Sequence, residues 1–301
     1  MTRRTSGIVL AISGGTCWGL SGAMGQYLFT REAMDSRWLV PIRLGLAGCL
    51  LFVYCLFRYG RKTFEPLRLG RDRRELLIYG IPGVSLCQFL YFLTIQQAGA
   101  GVGTILQDLS PVLILLYTCR KEKRRAGLRE VICVLLAFFG VSLITTHGTF
   151  GALAVPLGAL ATGILSAVCV TVYNVEPERL LTKYPVVMLQ AYAFLMGGAL
   201  LGLLFHPWTW GYIPDSRGYF GIAFVVLVGN VLAFTAYMSG VSRIGPEKAI
   251  LYGFAEPVTA AIIGTVLLGS RFTIWDGIGF AAIFMMMFLI SCQPKSAQGG
   301  R

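Results

Sequence analysis

Runs of about 20 apolar residues recur along the whole of this 301-residue chain, and they limit its possible folds more than any other feature. A helical run of that length spans the hydrocarbon core of a bilayer. Only 13% of the residues are charged, about half the fraction found in soluble domains. Ten spans would use about 200 residues, which leaves no room for a large soluble catalytic domain. The chain is therefore predicted to be an all-α, polytopic membrane protein.

Loops that contain basic residues, proline and glycine separate the apolar runs and predict ten transmembrane helices. The least distinct boundary lies between the third and fourth runs, where Gly99 allows a tight helical turn. The predicted spans are residues 7–29, 38–58, 75–97, 101–119, 129–147, 153–175, 185–206, 218–242, 246–269 and 273–292, each to within a few residues.

Lysine and arginine are distributed unevenly between the two sides of these spans. With the N-terminus in the cytoplasm, 21 of the 26 basic residues fall on the inner side and 4 on the outer side. Such a bias is typical of cytoplasmic loops. It predicts a multi-pass protein of the plasma (inner) membrane with both termini cytoplasmic. The net charge of +12 then reflects topology and contact with the lipid bilayer, so we expect no nucleic-acid partner.

A shift of 146 residues aligns the two halves of the chain. It places Tyr91 on Tyr237 and Pro111 on Pro257, and it needs no gap from Tyr91 to Ile144. Five spans is an odd number, so the two halves would cross the membrane in opposite senses. Inverted repeats of this kind build many secondary transporters, with the substrate site near the midplane. We predict a five-helix unit over 1–147, a second over 148–292, and a cytoplasmic tail over 293–301.

Several stretches carry a family resemblance. Residues 91–98, followed by residues 106–112, resemble the third and fourth spans of EamA-type transporters in the drug/metabolite transporter (DMT) superfamily. Residues 237–245 and 255–258 are similar to the second-half version of that signature. Arg43 resembles the arginine of the family's second span, whereas Ser270 departs from a frequent glutamate. The resemblance implies a ten-helix fold of two EamA-like repeats, alternating access, and a cargo among amino acids, sugars, vitamins, drugs and other metabolites.

Acidic side chains within the spans are the strongest functional candidates, because a charge in the hydrocarbon core costs about 2.5–3.5 kcal/mol on insertion scales. Asp108 lies three residues before Pro111, which leaves the Gln107 carbonyl without its helical donor. Glu256 lies beside Pro257 in the ninth span. We predict that both acids bind a proton or cation. Alternatively, Asp108 is bonded to a neighbouring helix and Glu256 belongs to a structural kink.

Arg43 is a basic candidate, about one turn inside the second span. It would act as a gate or anion contact, paired with Asp35 or with a substrate carboxylate. The alternative is that its side chain extends to the membrane surface or binds loop carbonyls. Amides and aromatic rings at mid-span could bind substrate or simply join helices. The residues predicted to line the substrate cavity are Trp18, Gln88, Tyr91, Gln107, Asp108, Asn230, Tyr237, Tyr252 and Glu256.

The motifs of other function classes are missing from the sequence. There is no P-loop, GxSxG or HExxH motif, and the eight cysteines form no CxxC pair. We therefore predict no catalytic residues, metal or cofactor. The expected partners are a small-molecule substrate, protons and lipid, in a monomer or weak homodimer. The predicted function is secondary transport, most specifically export, of an amino acid or cationic metabolite. The alternative is a membrane receptor or scaffold that binds a metabolite without transporting it.

Overall fold

The computed structural model describes residues 2–148, 155–175, 178–244, 249 and 252–291, and over these ranges the fold is helical with no strand. Ten helices within them correspond to the predicted spans. They are α1 (Arg3–Thr30), α2 (Ser36–Tyr59), α3 (Gly70–Ala98), α4 (Ala100–Lys121), α5 (Leu128–Thr146), α6 (Leu157–Val175), α7 (Val186–Phe205), α8 (Ser216–Ile244), α9 (Ala255–Leu268) and α10 (Ile274–Ser291).

The lengths and composition of these helices suit a membrane. In the part of the chain that is described, eight are long and apolar enough to cross a bilayer, and α9 and α10 are shorter apolar helices. The predicted all-α, multi-pass membrane fold is therefore confirmed. The beginning of the predicted ninth span at residue 246, the tail over 293–301, and the basic residues Lys248, Lys295 and Arg301 lie outside the described residues.

The helices of the two halves pack against one another throughout the bundle. Helix α2 contacts α7, α4 contacts α9, and α5 contacts α10, and each of these pairs joins helices at equivalent places in the two repeats. Two further contacts exchange positions between the repeats. The first helix of one half packs on the third helix of the other, as α1 does on α8 and α6 does on α3. The boundary between the halves therefore runs through the centre of the bundle, where either half can contribute residues to one site.

Departures from regular helix occur at equivalent positions of the two repeats. Helix α3 contains a π-helical segment at Tyr79–Ser85, and α8 contains one at Val225–Leu232, with starting residues 146 apart. Such segments are frequent at functional sites. Irregular backbone at membrane depth needs partners within the protein or a water-filled cavity.

Helices α4 and α9 also have irregular backbone next to the repeated prolines. Helix α4 is interrupted at Asp108 and Leu109 and resumes at Ser110, and α9 begins at Ala255 after a turn at Phe254. Proline is favoured at the beginning of a helix because it lacks the N–H that would be unpaired there. The span predicted over 101–119 thus contains a break just before Pro111, next to the Gln107 carbonyl that was expected to lack its helical donor.

A cluster of charged groups, here called the Asp72 cluster, joins the halves at one end of the bundle. Asp72 at the start of α3 is fully buried. Its carboxylate accepts hydrogen bonds from Lys183 Nζ at 2.6 Å, from the Tyr184 hydroxyl at 2.7 Å, and from Arg179. Arg179 also contacts Glu75 at 3.1 Å. The Asp72 carboxylate raises the pKa of Lys183, so this amine remains charged at neutral pH.

We predict that Asp72→Asn destabilises the bundle, because it removes the charge that pairs with two basic side chains. The basic partners are partly exposed, so the expected loss is about 1–2 kcal/mol. This corresponds to a melting temperature lower by roughly 3–6 °C, measured on purified protein in detergent. The exposed Arg73→Gln variant on the same helix is the control and should melt like the parent. Equal effects of the two substitutions would contradict a structural role for the Asp72 cluster.

Candidate functional site

Tyr91 lies at the centre of the predicted site and connects three helices. Its side chain is buried on α3, and its hydroxyl is 3.0 Å from Thr104 Oγ1 on α4. The same hydroxyl donates a long hydrogen bond of 3.5 Å to Glu256 Oε1 on α9. A residue of the first half thus contacts an acid of the second half within the bundle.

The two predicted acids are brought together beside Tyr91. Asp108 lies at the break in α4, Glu256 lies in the first turn of α9, and their carboxyl groups interact electrostatically. The Oδ2 atom of Asp108 is buried and has no hydrogen-bond partner in the described structure. No ion pair among the described residues includes either acid. This acidic pair can therefore accept a proton or a cationic group from outside the protein.

Arg43 forms a second polar group beside α3, one helical turn from Tyr91. It is only 3% exposed. Its Nη2 atom donates to Gln88 Oε1 on α3 at 2.9 Å and to Asn230 Oδ1 on α8 at 2.7 Å. One face of its guanidinium stacks 3.8 Å from the ring centre of Phe92. Three of the predicted polar residues thus meet, one from each of three helices.

The structure corrects two suggestions for Arg43. Asp35 is not its partner, because Asp35 pairs with Arg37 at 2.9 Å and the Arg37 guanidinium lowers the pKa of that carboxyl. The Arg43 side chain also does not extend to the membrane surface, since it is buried against Phe92. The anion contact predicted for Arg43 is compatible with this arrangement and is developed below.

Gln107, the neighbour of Asp108 in the chain, uses its side-chain oxygen to join helices. Its Oε1 atom accepts a hydrogen bond from Ser166 Oγ on α6 at 2.8 Å, and the Cys87 thiol lies 3.7 Å away on α3. These contacts fit the helix-joining alternative that amides offer in membranes. Ser166, which holds Gln107, was not singled out in the sequence because a lone serine in an apolar run carries no signal.

The predicted aromatic residues divide into two groups. Trp18 on α1 packs on Tyr237 on α8 with ring centres 5.0 Å apart, and Tyr237 lies within electrostatic range of both acids. These rings therefore form one wall beside the acidic pair. Tyr252 is half-buried one turn before Glu256, and no ring contact among the described residues includes it. Phe92, which sequence reasoning missed, is one helical turn beyond Gln88, and that spacing is the signal that could have identified it.

Glycines on α1 bring its backbone against α9 at the acidic pair. A methyl group placed on Gly19 would lie 2.5 Å from the carbonyl oxygen of Glu256 and 2.7 Å from Thr259 Cβ. Gly15 makes a similar approach to the carbonyl of Gly253. The GxxxG spacing of Gly15 and Gly19 therefore packs within the bundle, and it fixes the height of Glu256 relative to α1.

Two grooves on the bundle surface are separate from these polar groups. One of about 340 Å³ is lined by Met24, Tyr27, Ser216, Arg217 and Phe220. The other, of about 360 Å³, lies between α9 and α10. Neither contains a predicted site residue. In the described ranges, no group of three or more His, Cys, Asp or Glu side chains is arranged to hold a metal ion.

We predict that Gly19→Ala destabilises the protein by about 1–3 kcal/mol, because its methyl group would push α1 away from α9. Gly277→Ala on α10 is the matched control. A methyl group there meets nothing within 4 Å, so it should be neutral or stabilise by up to about 1 kcal/mol. Thermal unfolding in detergent gives both values. Equal stability of the two variants would contradict the close α1–α9 contact.

Comparison with known proteins gives a consistent result. The profile of the EamA-like transporter family matches residues 5–146 and again residues 157–292. The chain is 30% identical to YicL, an uncharacterized inner membrane transporter of Salmonella typhimurium, over 96% of each chain. It is 22% identical to the threonine/homoserine exporter RhtA of Escherichia coli, over 78% of this chain and 75% of that protein. A protein crystal structure with 18% identity superposes with a TM-score of 0.65 over 97% of this chain and 99% of its own, which shows the fold alone. With both halves matched by the same family profile, the chain belongs to the EamA-like transporter family.

Proposed function

We propose that this protein is a secondary-active transporter that exports a small metabolite by alternating access around the acidic pair of Asp108 and Glu256. The observation that carries the proposal is the position of this half-buried pair between helices of the two halves, with Asp108 Oδ2 buried and unpartnered and no basic partner in the described structure. Ionisable groups inside a membrane protein usually lie on ion or substrate pathways. The exporter RhtA, by its name, moves threonine and homoserine, and it makes small amino acids the first cargo to test.

The packing of the bundle suits a rocking mechanism. Each helix of one half rests on a helix of the other, so rotation of one half against the other would open the acidic pair to one side and close it to the other. The interrupted helices α4 and α9 place backbone ends beside the same pair, as the discontinuous helices of secondary transporters do at their binding sites. The cargo is not chemically changed in this cycle, so the proposed function is transport and not catalysis.

The acidic pair would couple transport to protons. One of the two carboxyl groups binds a proton from one side of the membrane and releases it to the other, and the cationic cargo and the proton compete for the same oxygens. Tyr91 would hold Glu256 through its hydroxyl while α4 and α9 move. The exchange of one proton for one cargo molecule makes the pH gradient the driving force.

We predict that Asp108→Asn and Glu256→Gln abolish pH-driven accumulation in proteoliposomes. One pH unit drives about tenfold accumulation when one proton is exchanged per cargo molecule, because one unit corresponds to about 1.4 kcal/mol. The two variants should instead equilibrate the cargo across the membrane. The control is Glu122→Gln, in a pair with Arg124 outside the spans. The assay follows radiolabelled threonine and homoserine, then other amino acids and amines.

Three results would count against this proposal. Accumulation by Asp108→Asn equal to that of the parent would remove Asp108 as the coupling residue. Equilibration by the parent itself would show transport without proton coupling. Cargo binding, detected as a raised melting temperature, without any flux would favour the receptor alternative.

We also propose that the protein lies in the inner membrane with both termini in the cytoplasm. The support is the concentration of basic residues in the loops over 60–74 and 120–128. Cysteines introduced at Arg68 and Lys123 should resist a membrane-impermeant maleimide in whole cells, whereas one at Arg217 should react, with the parent chain as background. Labelling of Arg68→Cys and Lys123→Cys from opposite sides would contradict the ten-span topology.

A further inference from the structure

Arg43 carries a buried positive charge without a counter-ion. No ion pair in the described ranges includes it, and its two hydrogen-bond acceptors, on Gln88 and Asn230, are neutral amides. The acidic pair does not neutralise it, since no Asp or Glu oxygen of the described chain lies within 4.0 Å of the guanidinium. A charge taken out of water is costly unless it is paired. The Arg43 charge therefore needs an anionic partner that the described structure does not supply.

Several buried N–H donors around Arg43 have no hydrogen-bond acceptor in the described structure. An arginine has five N–H donors, and Nη2 uses its two on Gln88 and Asn230. The Nε and Nη1 atoms are buried and have no partner in the described structure, which leaves three donor hydrogens. The Nδ2 atom of Asn230, on the same hydrogen-bonded network, is also buried and unpartnered. Donors without acceptors, around a positive charge, describe a binding site for an anionic group.

We propose that Arg43 and Asn230 bind the carboxylate of the transported metabolite, which would make the cargo an amino acid and not a simple amine. This inference rests on the proposed transport function and selects between the two cargo classes that it leaves open. The carboxylate would accept hydrogen bonds from Arg43 Nε or Nη1 and from Asn230 Nδ2. The protonated amine of the same molecule would contact the acidic pair of Asp108 and Glu256.

The charges of the site favour a carboxylate over other anions. One guanidinium balances a single negative charge, and the neighbouring acids would repel the second charge of a phosphate. A carboxylate is monoanionic and has about four acceptor positions on two oxygens. Gln88, which accepts from Arg43, lies one helical turn from Tyr91, and the Tyr91 hydroxyl contacts Glu256. A compact molecule with opposite charges therefore has both groups beside the same face of α3. A cargo with only an amine would leave the Arg43 donors unpaired.

The first experiment compares ligands that differ only in the carboxylate. Purified protein is heated in detergent with each of the common L-amino acids and with its methyl ester, and with putrescine as an amine without a carboxylate. We expect one or more amino acids to raise the melting temperature, and the matched esters to bind at least about tenfold more weakly. The ester loses a hydrogen bond from a charged donor, and the expected tenfold loss of affinity corresponds to about 1.4 kcal/mol.

The second experiment tests Arg43 in the absence of ligand. Arg43→Gln removes the unpaired charge and keeps one amide donor, so the ligand-free variant should melt at the temperature of the parent or higher. It should lose the stabilisation by amino acids. Arg37→Gln, an exposed arginine on the same helix, is the matched control and should keep that stabilisation. A purely structural Arg43 would behave in the opposite way, with a ligand-free melting temperature several degrees lower and ligand response unchanged.

The outcomes separate this inference from the transport proposal. Binding of the esters or putrescine as tightly as the amino acids would overturn the carboxylate site. Failure of every amino acid to bind would also overturn it. If a pH gradient drives putrescine flux in the same liposomes, the transport function is retained and the carboxylate site is overturned. Absence of flux for every compound, with ester-sensitive binding retained, would overturn the transport function and keep the carboxylate site.

Discussion

The hydrocarbon interior of a bilayer offers no hydrogen-bond partner, and this constraint organises the whole molecule. Each polar side chain and each break in a helix must be satisfied inside the protein. The chain meets the constraint by turning these features toward the boundary between its two halves. Arg43 is bonded to two other helices there, and Tyr91 bridges α3, α4 and α9. Among the buried polar atoms of the described structure that lack a partner, those on Arg43, Asn230 and Asp108 lie at the same boundary.

Much of this arrangement could be predicted because membrane sequences reveal their helices directly. The apolar runs and loop charges predicted ten transmembrane helices, and ten helices in the described ranges correspond to them. The 146-residue shift also relates features that it was not used to find. The two π-helical segments begin 146 residues apart, and the turns at Asp108 and Phe254 are also 146 residues apart. The repeat seen in the sequence is therefore also present in the backbone conformation.

What could not be predicted depends on contacts between distant segments. Arg43 and Asn230 are separated by 187 residues, and no local pattern could pair them. Asp35, eight residues before Arg43 at the start of the same helix, was the nearer choice, but Arg37, two residues from Asp35, already pairs with its carboxylate. Pro111 indicated irregular backbone near Asp108, yet the proline alone could not distinguish one freed carbonyl from a complete break. Ser166 was missed because its importance lies only in the neighbour that it contacts.

The Asp72 cluster has a consequence for movement of the two halves. Asp72 belongs to α3, whereas Arg179, Lys183 and Tyr184 belong to the connection between α6 and α7. In the proposed topology this end of the bundle faces the cytoplasm, so a carrier that opens inward must separate these groups in every cycle. Mobile ions weaken attraction between partly exposed charges over a Debye length of about 8 Å in the cell. A higher cytoplasmic ionic strength would then favour the inward-open form over the inward-closed form. An osmotic upshift, which raises that ionic strength, would shorten the lifetime of the inward-closed form.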